Sequence, residues 1–247
     1  MHEPEILTHP HAEALSAAVA GRLVAHLAAA QAAGRVPTIA LTGGTVAVTI
    51  HEALVTATAG SDPTVDWSRV EVLWGDERFV PAADDDRNAK QAQVLLAHVD
   101  VDPARVHEMP ASDGPETDVD AAAASYAEVV RRVAPDGLDV LMLGVGPDGH
   151  VASLFPGFPQ LDVDDREAVG VTDSPKPPPE RVSLTLPVLN RAREVWFVVA
   201  GEGKSAAVAA ALGAHGGPAD VHDIPAAGVS GRERTLWFLD EGAASRL

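Results

Sequence analysis

The chain predicts a Rossmann-like three-layer α/β/α sandwich with a mainly parallel sheet, and three observations carry that prediction. Short aliphatic runs bounded by Gly or Pro alternate with longer Ala-rich stretches whose apolar residues recur at helical spacing. Several of the short runs, such as Leu-Asp-Val-Leu-Met-Leu at 138–143, are nearly continuous in aliphatics rather than alternating with polar residues, as strands buried on both faces are. The Gly-rich and charged segments fall directly behind those runs, at the carboxyl ends of strands, where open α/β sheets form their ligand crevices.

The first helix is expected over 11–33, with Leu15, Val19, Leu23 and Leu27 at helical spacing and Gly34 as its stop. A strand at 36–41 leads into Thr42-Gly43-Gly44-Thr45 and a second helix running to about residue 58. The next strand, 70–74, is followed by the charged loop 75–81, a helix over 88–97, a short extended piece at 106–109 and a helix over 118–133. The strand 138–143 then precedes Gly144-Val-Gly-Pro-Asp148-Gly-His150. Residues 156–180, rich in Pro and Asp and containing Lys176, read as a long surface excursion, either a mobile rim over the ligand crevice or an inert surface loop. Strands at 182–186, 194–200 and 235–239, with a helix over 203–212 between the last two, complete the alternation. No linker or repeat divides the 247 residues, so a single domain over 1–247 is expected.

Composition narrows the function. With 46% hydrophobic residues the chain can bury a sizeable core, yet no apolar stretch reads as approaching a membrane span. Met1-His-Glu-Pro-Glu5 lacks the basic and apolar regions of a secretory signal, and there are no cysteines, so a cytoplasmic location is expected. Without cysteine there is no thiol nucleophile, thiolate metal site or disulfide. A formal charge of −18 argues against nucleic acid or anionic membrane as a partner, because both are recognised by clustered Lys and Arg. An anionic small molecule would instead need a local cationic site, and no obligate protein partner is evident. Only Lys90, Lys176 and Lys204 are available as lysines, and Lys204 stands at a helix start behind a Gly-rich turn.

The strand-to-helix junctions hold the polar chemistry. Thr42-Gly43-Gly44-Thr45 offers backbone N–H groups and hydroxyls where a helix begins, which suits a phosphate; a tight turn with a capping Thr is the alternative. Asp76-Glu77-Arg78 sets three charges behind another strand, as a site or as a solvated loop. Gly201-Glu-Gly-Lys204-Ser205 resembles the end of a nucleotide-binding P-loop, but Val198 stands where the pattern requires its first Gly. Gly144 to Gly149 formally satisfies G-x-G-x-x-G, yet the sequel Phe155-Pro-Gly-Phe-Pro159 is not the helix that a dinucleotide site demands. No G-x-S-x-G elbow is present, and the ten histidines lack zinc-protease spacing. His150 is left as the natural acid/base, with Asp148 two residues earlier in a glycine-loosened turn to orient the ring.

Together LTGGT at 41–45, WGDERFVP at 74–81, LGVGPDGHVASLFPG at 143–157, RVSLTLPVLN at 181–190 and GEGKSAAV at 201–208 resemble the 6-phosphogluconolactonases, in that family's order and across nearly the whole chain. The resemblance implies hydrolysis of 6-phospho-D-glucono-1,5-lactone in the oxidative pentose phosphate pathway, a sugar phosphate as partner, and no required cofactor or metal. It implies that His150 activates the attacking water, that Asp148 supports the imidazole, and that Arg78 contacts substrate or neutralises developing charge. Gly43, Gly44, Thr45, Arg181 and Lys204 match positions expected to hold the 6-phosphate. Asp76 matches a carboxylate that related glucosamine-6-phosphate deaminases use for proton transfer, and here binds, orients or catalyses. The oxyanion donors stay open between backbone N–H groups at 146–149 and Arg78. One departure is Arg87, which precedes Asn88 where family members commonly carry Ser. The deaminases carry a stretch resembling I-A-F-N-E-P after Asp-Gly-His, whose Glu assists ring opening; Phe155 stands at that position here. A non-catalytic sugar-phosphate sensor is the remaining alternative.

Overall fold

The computed structural model describes residues 3–59, 65–214, 217 and 219–247. Six strands form one wholly parallel sheet: β1 (Glu5–His9), β2 (Thr38–Leu41), β3 (Glu71–Trp74), β5 (Val140–Leu143), β8 (Glu194–Val199) and β9 (Arg234–Asp240), in the order β1-β9-β8-β5-β2-β3. Every residue of β2, β5 and β8 is buried, which is why these segments carry aliphatics without alternation. Helices α1 (Ala12–Ala32), α2 (Thr45–Ala59), α3 (Asn88–Leu96), α4 (Val119–Val133) and α6 (Ser205–Ala211) flank the sheet, and a single turn, α5 (Leu186–Leu189), follows a strand of the second sheet. The predicted α/β sandwich is therefore present.

Strand order locates the crevice. From β2 the sheet grows one way to β3, and from β5 it grows the other way through β8 and β9 to β1. The order reverses between β2 and β5, so the loops leaving their carboxyl ends, 42–45 and 144–150, diverge around a gap. Asp139 fixes this pair at its opposite end. Its Oδ2 accepts the Thr38 N–H at 2.9 Å, and its Oδ1 pairs with Arg35.

A second, antiparallel sheet of three strands was not predicted. It consists of β4 (Asp76–Arg78), β7 (Arg181–Leu184) and β6 (Ala168–Val171), in the order β4-β7-β6. The expected charged loop 75–81 is thus partly a strand. The 156–180 excursion is likewise corrected: it contains β6 and a 3-10 turn, Pro159–Asp162, with Leu161, Ala168, Val169 and Val171 buried. The extended piece at 106–109 contributes only a bridge from Val106 to Val72. Tyr126 of α4 pins the point where the chain leaves the large sheet, because its fully buried hydroxyl accepts from Trp74 N at 2.9 Å and donates to Trp74 O at 3.2 Å.

One expectation about α1 also changes. With a mean hydropathy of 1.2 over an 18-residue window, α1 is long and apolar enough to cross a membrane, because its exposed face is largely alanine. Leu15, Val19, Leu23 and Leu27 are nevertheless fully buried in the protein core, as their spacing predicts.

Candidate active site

The gap between β2 and β5 opens into a pocket of about 270 Å³ lined by Thr42, Gly43, Gly44, Asp76, Arg78, Asn88, Gly144, Gly146, His150, Lys176, Arg181 and Lys204, among others. The small sheet delivers three of these residues. Its register places Arg78 opposite Arg181 and Asp76 opposite Ser183, so residues a hundred positions apart share one wall.

Asp148 and His150 form a pair, with Oδ1 and Nδ1 2.5 Å apart. Burial alone would raise the Asp148 carboxyl, but the hydrogen bond and charge of His150, aided by Lys176, outweigh it and hold the group well below the usual carboxylate range. An ionised Asp148 only accepts, so the Nδ1 proton points to it and Nε2 is left as the free nitrogen. The turn that makes the pair is closed by Gly146 N–H to His150 O at 2.9 Å and Gly149 N–H to Gly146 O at 3.0 Å. Gly146 is required by space: a Cβ there would lie 2.0 Å from His150 Nδ1. Phe155, buried, packs its ring 4.6 Å from the imidazole, and the Arg181 guanidinium lies 5.8 Å from the centre of the same ring.

Asp76 is held as an acceptor on both oxygens, from Ser153 Oγ at 2.6 Å and Asn88 Nδ2 at 3.4 Å. Asn88 also donates to Asp76 O at 2.9 Å and lies against Gly43, where a Cβ would sit 1.7 Å from its Oδ1. The Arg at 87 that departs from the family pattern does not disturb this: it is buried and donates to Met109 O at 2.7 Å. Glu77 turns inward to cap α3, its Oε1 accepting Arg78 N at 2.8 Å and Asn88 N at 2.7 Å, and its Oε2 accepting Ala89 N at 2.8 Å. Burial pushes its carboxyl up against those bonds.

Most of the sequence-predicted residues meet here, with two qualifications in geometry. Thr45 is exposed at the start of α2 and lies outside the pocket lining, and the Gly44 N–H is engaged by Gln91 Oε1 at 2.9 Å. Arg181 spends Nε and Nη2 on the carbonyls of Pro178, Lys176 and Pro177. Lys176 and Gln91 enter from segments whose sequence offers only weak signals, whereas Ser153 lies within the 143–157 stretch that carries the resemblance and Asn88 stands beside the departing Arg87. Lysines 176 and 204 are both lowered by burial, and the charge of Lys176 lowers Lys204 further. No cluster of three or more His, Asp or Glu able to hold a metal occurs among the described residues.

A family model for glucosamine-6-phosphate isomerases/6-phosphogluconolactonase matches residues 10–237. The chain belongs to this family. Within it, the chain is 48% identical to a 6-phosphogluconolactonase of Streptomyces coelicolor, covering 99% of this chain and 95% of that one. It is 47% identical to a 6-phosphogluconolactonase of Mycobacterium tuberculosis, covering 96% of each. The solved 6-phosphogluconolactonase of Trypanosoma brucei superposes with a TM-score of 0.83 at 25% identity over all of both chains. A monomeric glucosamine-6-phosphate deaminase, 17% identical with a TM-score of 0.80 and coverage of 98% of this chain and 100% of that one, shares the fold.

Proposed function

We propose that the chain hydrolyses 6-phospho-D-glucono-1,5-lactone to 6-phospho-D-gluconate, with the free sugar phosphate as its partner. One observation carries the reading: His150, oriented by Asp148, faces a cationic pocket with the Phe155 ring, rather than a carboxylate, against it. The named relatives point to the same substrate.

His150 Nε2 takes a proton from water, whose oxygen bonds to the lactone carbonyl carbon while the carbonyl electron pair moves to oxygen. The pair returns as the ring C–O bond breaks, and the imidazolium gives its proton to the departing ring oxygen. The acid so formed ionises to the carboxylate. Asp148 stabilises the imidazolium between these steps. Lys204, the Gly43-Gly44 turn and the charge of Arg181 are assigned to the 6-phosphate, which carries about −1.5 to −2 at neutral pH. Engagement of Gly44 N–H by a phosphate requires Gln91 Oε1 to give way. Arg78 is assigned to the substrate's charged or hydroxyl groups. Asp76 is assigned a binding role, because Ser153 and Asn88 already donate to its oxygens.

The test is the rate of opening of freshly generated 6-phosphogluconolactone with and without the protein, corrected for spontaneous hydrolysis, beside ammonia release from glucosamine 6-phosphate. Acceleration of the lactone alone is expected. Ammonia release alone would transfer the chain to deaminase chemistry.

A further inference from the structure

The turn that presents His150 has few amides left for an oxyanion. Gly146 N–H and Gly149 N–H are consumed inside the turn, and Gly144 N–H leans on Thr42 Oγ1 at 3.4 Å. Arg78 ties Nη1 to Asp86 O and keeps a buried Nε without a hydrogen-bond partner, so it is the competing donor. The donor set against the His150–Asp148 pair itself is Lys176, whose Nζ lies 3.5 Å from His150 Nδ1 and 3.8 Å from Asp148 Oδ1. Both Nζ and the protonated Nδ1 are donors, so no hydrogen bond joins them. The ammonium is a donor with spare capacity, held next to the imidazole.

Its loop is built to keep it there. Ser174 Oγ accepts Lys176 N at 3.3 Å and donates to Lys176 O at 3.0 Å, and Ser174 N donates to Pro179 O at 3.0 Å. Arg181, with only 5% of its surface exposed, then reaches three consecutive carbonyls: Lys176 O at 3.1 Å, Pro177 O at 3.3 Å and Pro178 O at 3.2 Å. A planar fork with five donors can bridge such a set, and an ammonium cannot reproduce it.

We propose that Lys176 is a catalytic residue for lactone opening, donating to the carbonyl oxygen as it becomes negative, and that Arg181 is the positioning residue that fixes the Lys176 loop. This rests on the hydrolase reading above. Lys176 lends a hydrogen bond and a charge but transfers no proton; the proton taken from water travels through His150 to the ring oxygen. A charge-bearing donor aimed at the developing oxyanion lowers the barrier without tightening the ground state, which separates it from a phosphate ligand.

The experiment compares wild type, Lys176→Met, Lys176→Ala, Lys204→Met and Arg181→Lys for kcat and KM on the lactone. Calorimetric Kd for glucitol 6-phosphate, which keeps the phosphate but carries no charged group at C1, and melting curves accompany the kinetics. For Lys176→Met, kcat should fall about 100- to 1,000-fold while Kd stays within about threefold, whereas Lys204→Met should chiefly raise KM and Kd. Ethylammonium should restore part of the Lys176→Ala rate in a saturable manner. Arg181→Lys keeps the charge but not the fork, and its kcat should fall as Lys176→Met does; should it fail to fold, the Lys176 variants alone decide. Near-wild-type kcat in Lys176→Met, or a loss of Kd matching Lys204→Met, overturns the proposal while leaving the hydrolase reading intact. Wild-type protein that does not accelerate lactone opening overturns both.

Discussion

Replacing Gly146 with alanine tests whether the Asp148–His150 geometry, rather than the mere presence of these side chains, sets the rate. The new Cβ would lie 2.0 Å from His150 Nδ1, 2.1 Å from Cε1 and 2.3 Å from Asp148 Oδ1, whereas ordinary contact begins near 3.4 Å. The imidazole must therefore retreat from 2.0 to 3.4 Å, about 1.4 Å, and Asp148 must move as well. Their 2.5 Å hydrogen bond does not survive two such displacements. Misplacement by about 1 Å typically costs about 100-fold, and complete loss of general-base catalysis up to about 10,000-fold. The barrier should thus rise by about 3 to 5 kcal/mol. Both side chains are partly exposed at the pocket wall, so stability should change by less than about 1 kcal/mol. The assay is kcat for lactone opening, with Kd for 6-phosphogluconate and a melting curve on the same preparation. A folded Gly146→Ala protein with wild-type kcat would refute the reasoning.

Three further outcomes follow from the same geometry. His150→Ala should lower kcat about 100- to 10,000-fold with product affinity largely kept, and an equal loss of affinity would undo the division between base and phosphate site. Tyr126→Phe removes the acceptor for the buried Trp74 N–H and should cost about 1 to 3 kcal/mol in urea unfolding; no loss would mean that this anchor is dispensable. His51 of α2 is buried, and burial pushes its imidazole down to about 4. The unfolded chain binds that proton from about pH 6.5 downward and the folded chain only near 4. His51 therefore costs no stability above about pH 6.5, and a penalty of up to about 3 kcal/mol accumulates as the pH falls through that window. Comparing urea midpoints of wild type and His51→Leu at pH 7 and 4.5 isolates this group; equal acid losses in the two proteins would contradict it.

The parallel sheet was legible because burial on both faces forces continuous aliphatics, and β2, β3, β5, β8 and β9 all carry that signature. β1 was not, since an edge strand with exposed Glu5 and Ile6 has no such run. The small sheet escaped for a different reason. β4 is three charged residues that become a strand only by pairing with β7 more than a hundred residues away, and β6 is Ala-Val-Gly-Val inside a Pro- and Asp-rich stretch, a strand only through its antiparallel pairing with β7. The site divides along the same line. Asp148 and His150 are local to one turn and were readable, while the closeness of Lys176 to His150 depends on Arg181 gathering its loop, which no spacing reveals. Thr45 shows the converse: it belongs to a motif that suits phosphate, yet it stands exposed at the start of α2, outside the pocket lining.

The inward carboxylate of Glu77 joins the two ends of the segment that separates β4 from α3, gripping Arg78 N on one side and Asn88 N and Ala89 N on the other. A loop clamped at its base in this way transmits little of what happens at its tip. The exposed stretch around Ala83 is therefore expected to tolerate insertion, affinity tags or fused segments, since added length there leaves Asp86 O on Arg78, and Asp76 and Asn88 where the small sheet and α3 put them. For anyone attaching the protein to a surface or to a neighbouring enzyme, that tip offers a handle on the rim of the pocket that does not have to run through either chain end.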